Sequence, residues 1–252
     1  MYLGESFDPD LHSHHAVQCC IALTGKLKIR WDGVEQWQQC NAAIIGANVN
    51  HSILCVDGSV CLLYLEKSSN NYQTILDYHC TDSSCQIKKK PLLISKPLPP
   101  ELVQELLRGC FSDIDTAMAN QLKRSCLTFF NGYISSENTL DPRIGVLLAQ
   151  MHLQPEQSFS GRDLAQTISL SESRMQHLFK QQVGIPIRRY ILWMKLRHVL
   201  ELTLEGSTLT EAAHAAGFAD SAHFSRTFKA MFGIPPSFLM KPSARLFSLF
   251  CD

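Results

Sequence analysis

Two sets of residues in this 252-residue chain have types and spacings that could do chemistry. The first is His12-Ser13-His14 with Gln18, joined later by His51. Neutral imidazoles offer a lone pair that suits zinc, iron or nickel, and the same rings can bind a polar small molecule. Residues 12, 14 and 18 share parity, so on one continuous strand they would face the same side. The second set is polar and basic. Ser173, Gln176, His177 and Lys180 follow one another at helical steps, opposite a stripe of Met175, Leu178 and Phe179. Adding 49 residues gives Ala222, Ser225, Arg226 and Lys229, opposite Phe224 and Phe228. Gln can pair bidentately with adenine and Arg with guanine, whereas a Lys farther along suits a phosphate.

The offset of 49 is an internal repeat. Phe179-Lys180-Gln181-Gln182-Val183-Gly184-Ile185-Pro186 returns as Phe228-Lys229-Ala230-Met231-Phe232-Gly233-Ile234-Pro235. Each copy closes a helical stretch, and the elements before it can be placed from their caps. Ser160 caps Gly161–Thr167 and Ser171 caps a helix to about Gln182, ended by Gly184. Pro186 opens a long helix ended by Gly206, of 20 residues from Pro186 to Glu205, or roughly 30 Å. Thr208-x-x-Glu211 is a capping box, Gly217 a break, and Asp220 the cap of a last helix. A helix, a tight turn and a second helix, used twice, is a layout that reads DNA. Major-groove faces on one side of a duplex recur every ~34 Å, so the spacer could set two such units in successive grooves. Trp193 fits the core, and Arg188 and Arg189 fit the surface or a phosphate.

The N-terminal part reads differently. From about Leu11 to Glu66 short alternating runs are joined by turns, with Asp32-Gly33 and Asp57-Gly58 as hairpin signals. This pattern predicts a small β-sandwich or barrel. Pro97–Pro100 breaks the chain, and helices follow with Leu102, Leu106, Leu122, Cys126, Phe129 and Phe130 on their apolar faces. Asp141-Pro142 begins another, running to about His152, and Gln154–Phe159 reads as a linker. Trp31 is a candidate wall for a pocket around the histidines, as are Trp37 and Tyr64.

Net charge is zero, but residues 155–252 hold 11 Lys and Arg against 8 Asp and Glu. That leaves the N-terminal part acidic, an asymmetry that fits a nucleic-acid module joined to something else. The ten cysteines include no C-x-x-C and several sit in apolar runs, which predicts buried, reduced thiols and a cytoplasmic protein. Met1–His15 lacks a signal pattern, and no apolar run approaches the roughly 18 residues of a membrane span.

The stretch Gly217-Phe218-Ala219-Asp220-Ser221-Ala222-His223-Phe224-Ser225-Arg226-Thr227-Phe228-Lys229, ending Phe232-Gly233-Ile234-Pro235-Pro236-Ser237, closely resembles the C-terminal signature of AraC/XylS-type transcription regulators. The resemblance covers Ser158 to about Lys241. It implies two helix-turn-helix units joined by a linker helix, with Ser173, Gln176 and His177 and Ser221, Ala222, Ser225 and Arg226 entering DNA. Where the family often ends Pro-x-x-Tyr-Arg, this chain has Ser237-Phe238-Leu239-Met240. The spacing H-x-H-x3-Q-x6-G from His12 to Gly25 resembles the first cupin motif with Gln in place of Glu. Gly46–His51 loosely resembles the second. Regulators of this type commonly carry a cupin-like sensor barrel there.

The expectation is therefore an α+β chain of two domains. Residues 1–96 form a cupin-like small β-barrel, 97–153 a helical dimerisation or linker region, and 154–252 an all-α domain of two helix-turn-helix units joined by a linker helix. The expected function is a sequence-specific DNA-binding regulator, not an enzyme. Its partners would be promoter DNA, a second copy as a homodimer, a small-molecule effector, and RNA polymerase if it activates, with no membrane. His12, His14, Gln18, Trp31 and His51 form the expected effector pocket. No cofactor is required, and a polar pocket is preferred to a transition metal on His12, His14 and His51. The alternatives are a metal-dependent cupin oxygenase, which would not explain the duplicated reader, and an interaction scaffold that does not bind DNA.

Overall fold

A computed structural model describes residues 1–5, 10–55, 58–66, 90–111, 115–131, 140–240 and 244–246. The chain divides into two compact units. One comprises Met1–Glu137 with Phe228–Asp252, the other Asn138–Thr227.

In the first unit the strands are β1 (Tyr2–Glu5), β2 (Val17–Ala22), β3 (Leu27–Trp31), β4 (Val34–Cys40), β5 (Ala42–Ile45), β6 (His51–Cys55), β7 (Ser59–Leu65), β8 (Leu92–Ile94) and β9 (Ala244–Leu246). They form a six-stranded sheet in the order β8-β5-β2-β7-β1-β9 and a three-stranded sheet in the order β4-β3-β6. The β3–β4 turn at Asp32-Gly33 is the hairpin expected, with Trp31 opposite Val34. Asp57 of the other turn signal lies outside the described residues.

Strand β2 lies between β5 and β7 and is buried at all six positions, because both faces of the larger sheet are covered. One face carries Cys19, Ile21, Ile44, Cys61 and Leu63 against α1 (Pro100–Phe111) and α2 (Thr116–Asn131), where Leu102, Leu106, Leu122, Cys126 and Phe130 meet them. The other face carries Cys20, Ala43, Ile45 and Leu62 against Leu27, Ile29 and Ile53 of the smaller sheet. Period-two alternation thus sorts neighbouring residues into two separate cores. The seven described cysteines are free.

The expected cupin-like closed barrel is not formed, because the two sheets do not close on each other. The larger ends at β8 and β9 and the smaller at β4 and β6. Strand β1 takes the free edge of β7, pairing Tyr2 with Leu62, and β9 extends it on the far side. The edge that closure would need is thereby occupied. The histidine segment joins the smaller sheet only through an isolated bridge between His12 and His51.

The second unit contains α3 (Pro142–Leu153), α4 (Gly161–Thr167), α5 (Glu172–Val183), α6 (Ile187–Leu204) and α7 (Leu209–Ala215); the division falls inside α8 (Ser221–Phe232). Asp141 and Ser160 accept from the first turns of α3 and α4, and Ser171 from Arg174 N of α5. Thr208 and Glu211 complete the reciprocal capping box of α7, and the Asp220 carboxylate accepts from His223 N of α8. Helix α3 packs against α5 and α6, burying Ile144, Leu147 and Met151. Trp193 is buried in α6, as the sequence suggests, and the Phe179 ring meets Tyr190 edge-on.

The duplication extends into the backbone. After α4, Leu170 N donates to Ala165 O at 2.9 Å; after α7, Phe218 N donates to Ala213 O at 3.0 Å. These are matching helix-ending bonds 48 residues apart, one fewer than the offset of the helices that follow. The left-handed residue at this turn is Ser169 in the first copy (φ 53°) and Gly217 in the second (φ 75°). A Cβ on Gly217 would lie 2.9 Å from Lys195 Nζ, which itself donates to Gly217 O at 2.8 Å. Gly217→Ala should therefore cost about 1–2 kcal/mol of stability in urea unfolding. Gly145→Ala in α3, where a Cβ meets nothing within 4 Å, should instead stabilise by about 0.4–1 kcal/mol.

Candidate functional site

The histidine cluster is built by three short pieces of chain. Gln18 lies on β2 directly opposite Tyr64 of β7 and Ile45 of β5, so its side chain points between the sheets. His51 begins β6 opposite Trp31 of β3. His12 and His14 lie on the irregular segment before β2, not on one strand with Gln18. His12 is placed by its bridge to His51, and His14 O accepts from Asn48 N at 2.7 Å. The three positions therefore come together with His51 although they do not share one strand. Asn48 holds a left-handed φ of 62°, turning the chain between β5 and β6.

His12, His14, Gln18 and His51 are all buried, with His51 wholly so. Each imidazole has its Nδ1 close to a backbone carbonyl: His12 to Asp10 O at 2.9 Å, His14 to Ala16 O at 2.8 Å, His51 to Val49 O at 2.9 Å. A carbonyl only accepts, so Nδ1 carries the proton in each ring and Nε2 presents a lone pair. Nε2 of His14 and of His51 each lie 2.9 Å from Gln18 Oε1. Ring nitrogens of the three histidines lie within 4.8 Å of one another, so His12, His14 and His51 could hold a metal ion. The Tyr64 ring stands edge-on to His14 at 5.1 Å. Trp31 packs half-buried against the same core, whereas Trp37 lies under the Arg30 guanidinium at 4.8 Å.

Burial lowers the basicity of all three rings. It brings His12 down to about 4, with the neighbouring His14 adding to the effect, and it holds His14 and His51 below the ordinary histidine value. The neutral rings thus suit either a hydrogen-bond donor or a cation.

The second set of residues lies on two helices. On α5, Ser173, Gln176, His177 and Lys180 are exposed while Met175, Leu178 and Phe179 are buried. Gln176 Nε2 donates to Glu172 Oε1 at 3.0 Å, one turn back. On α8, Ser221, Ala222, Ser225, Arg226 and Lys229 are exposed while Phe224 and Phe228 are buried. Gly184 (φ 91°) and Gly233 (φ 74°) close the two helices in left-handed turns. The spacer α6 has 18 residues, a rise of about 27 Å.

Sequence reasoning missed Asp10. Its carboxylate is 2.8 Å from Lys229 Nζ, and its N–H donates to Gly233 O at 3.1 Å, within the first unit. The lysine holds the Asp10 carboxyl below the usual carboxylate value. Phe232 meets Tyr64 edge-on at 5.6 Å. No local pattern announces a pair so far apart in sequence.

Residues 164–241 match the family model described as a helix-turn-helix domain. The chain is 33% identical over 117 residues to the uncharacterised HTH-type transcriptional regulator YidL of Escherichia coli (strain K12), covering 46% of this chain and 38% of that one. It is 31% identical over 97 residues to a putative AraC-like transcription regulator of Streptomyces lividans, covering 38% and 32%. The chain thus spans about a third of the length of these curated relatives. Across almost the whole chain its fold is similar to that of ToxT from Vibrio cholerae. The structure of ToxT with an unsaturated fatty acid bound aligns at a TM-score of 0.56 and 15% identity, covering 95% of this chain and 92% of that one. These likenesses support the AraC/XylS-type resemblance of the C-terminal helices, and they are to transcription regulators rather than enzymes. Among the described residues, no helix is long and apolar enough to cross a membrane.

Between about pH 6.5 and pH 4 the unfolded chain protonates His12 while the folded chain keeps it neutral. The unfolded state then binds more protons, so stability falls as pH falls through this window and is level above it. The loss from His12 is on the order of 3 kcal/mol. Urea unfolding at pH 7 and pH 4.5 should show it, and His12→Asn should flatten the slope.

Proposed function

We propose that this protein is a cytoplasmic, sequence-specific DNA-binding regulator whose first unit modulates promoter binding in response to an effector. The observation that carries the reading is the twofold use of one helix-turn-helix design: matched caps, matched turn bonds and matched exposed polar faces on α5 and α8. Ser173, Gln176, His177, Ser221, Ala222, Ser225 and Arg226 are the proposed groove residues. Lys180 and Lys229 are the proposed phosphate contacts. Ala222 offers a methyl to a thymine methyl rather than a hydrogen bond. His12, His14, Gln18, Trp31 and His51 form the proposed effector site, a small molecule or a metal being its ligand. The fold likeness to ToxT, solved with a fatty acid bound, supports such a role for this unit. Segments 1–96, 97–153 and 154–252 are assigned to sensing, pairing of two copies, and DNA reading. The pairing role would rest on α1 and α2, and an activating role would add RNA polymerase as a partner.

An effector changes regulation only by binding two arrangements of the protein unequally. Asp10 is placed to take part, because its carboxylate holds the cation that α8 would offer to a phosphate.

Nuclease footprinting on DNA upstream of the protein's own gene tests the reading; a protected stretch of about two helical turns per chain is expected, and no protection at low salt would overturn it. Arg226→Ala should cost about 1–3 kcal/mol and relax preference at one base position. Lys180→Ala should weaken all sequences alike and flatten the salt dependence of binding. Asp10→Asn should free Lys229, tightening DNA binding and steepening that dependence by about one counterion. All three are measured by fluorescence-polarisation titration at several salt concentrations.

A further inference from the structure

We propose that Cys61 and Cys126 form a dithiol site that hydrogen peroxide oxidises to a disulfide, tying strand β7 to helix α2. The site stands on the geometry of the first unit alone; its bearing on regulation rests on the pairing role proposed above for α1 and α2.

The two residues come from different layers and lie 65 positions apart in sequence. Cys61 sits on β7 opposite Leu3 of β1 and Ile21 of β2, and period-two alternation turns it toward the helices. Cys126 takes the middle of the stripe Leu122, Cys126 and Phe130, three fully buried residues at four-residue steps on the face of α2 that meets the sheet. Strand register and helical stripe, each fixed by apolar burial, bring the two sulfurs to 3.7 Å, with one thiol donating to the other sulfur. Cys55 and Cys110 instead donate to the carbonyls of Thr24 and Leu106, at 3.2 and 3.5 Å. Cys19 and Cys20 are neighbours on β2 and face opposite cores.

A disulfide requires the sulfurs to close by roughly 1.7 Å from this separation. Rotation of both side chains supplies part of the approach, and a small advance of α2 supplies the rest. That helix has room to move. An open groove of about 390 Å³ lies between α1 and α2, walled by Leu102 and Glu105 on one side and by Gln121 and Phe129 on the other. The contact across it is an exposed hydrogen bond from Gln121 Nε2 to Glu105 Oε1 at 2.8 Å, which yields more readily than interlocked apolar side chains.

The chemistry balances with the peroxide as the oxidant. One thiol loses its proton and attacks a peroxide oxygen; an S–O bond forms, the O–O bond breaks, and a water leaves. The second thiol, deprotonated in turn, attacks that sulfur; the S–S bond forms, the S–O bond breaks, and a second water leaves. Two thiols are oxidised by two electrons, and one peroxide is reduced to two waters. The bond with Cys126 and burial push the Cys61 thiol well above its ordinary value, so thiolate is scarce while α2 is seated. Reaction therefore waits on local opening of that helix.

The test uses the full chain, reduced and then freed of reductant. It is treated with hydrogen peroxide, trapped with iodoacetamide in denaturant and mapped by mass spectrometry. A peptide containing Cys61 joined to one containing Cys126 is expected, lighter by two hydrogens than the separate pair and released by dithiothreitol. The same chain oxidised while unfolded in guanidinium gives the reference mixture, because its ten cysteines then pair without guidance from the fold. A native product no richer in the Cys61–Cys126 link than this mixture overturns the site. Recovery of both residues as unreacted thiols after prolonged exposure also overturns it, leaving the contact a matter of packing. In Cys126→Ser the link should vanish and Cys61 should stop at the sulfenic acid, captured by dimedone. Circular dichroism checks that this variant folds, and mapping of the unsubstituted chain decides the matter if it does not. A linked chain that self-associates in sedimentation just as the reduced chain does supports the site and overturns its role in pairing. Loss of every footprint with the reduced chain would sink the DNA reading and leave the dithiol site standing.

Discussion

The architecture of the first unit depends on the burial of β2 on both of its faces. A strand covered on both sides has no solvent side, so each successive residue must belong to one core or the other. Cys19 and Ile21 are committed to the helical layer, and Gln18 and Cys20 to the space between the sheets. A one-residue slip would exchange the two sets and drive the Gln18 amide against Leu122 and Phe130. The place of that amide beside His14 and His51 is thus a by-product of register, enforced by every apolar residue on the strand. Such a support holds the amide and the two imidazoles out of reach of water without any dedicated scaffold.

The C-terminal helices were legible because their punctuation is local. Ser160, Ser171, Thr208 and Asp220 each cap a helix through a side chain only two or three residues from the amide it serves, and Gly184 and Gly206 end helices through their own backbone. The apolar stripes of Met175–Phe179 and Phe224–Phe228 follow the helical period and need no tertiary information. Ser169 escaped notice because nothing about a serine announces a left-handed turn; only comparison with Gly217 in the other copy reveals the shared conformation.

The first unit was legible only in part. Its hairpin at Asp32-Gly33 follows from residue type and spacing, whereas the histidines meet Gln18 through an irregular segment and an isolated bridge that spacing along one strand does not describe. The failure to close, in contrast, is decided by β1 and β9, which are short and pair across nearly the whole length of the chain. No window of sequence contains both partners. The Asp10–Lys229 pair escaped for the same reason: each is an ordinary surface charge until the fold brings them to 2.8 Å.

The pairing of β1 with β9 also bears on how the protein can be dissected. Tyr2, Leu3 and Gly4 lie opposite Leu246, Arg245 and Ala244. A fragment cut after the helical layer to isolate the strands that precede it would strip β1 of this neighbour and leave a row of bare amide and carbonyl groups. Such a naked border invites a second fragment to dock there. Self-association of the truncated piece would then be a product of the scissors and no guide to the assembly state of the whole chain.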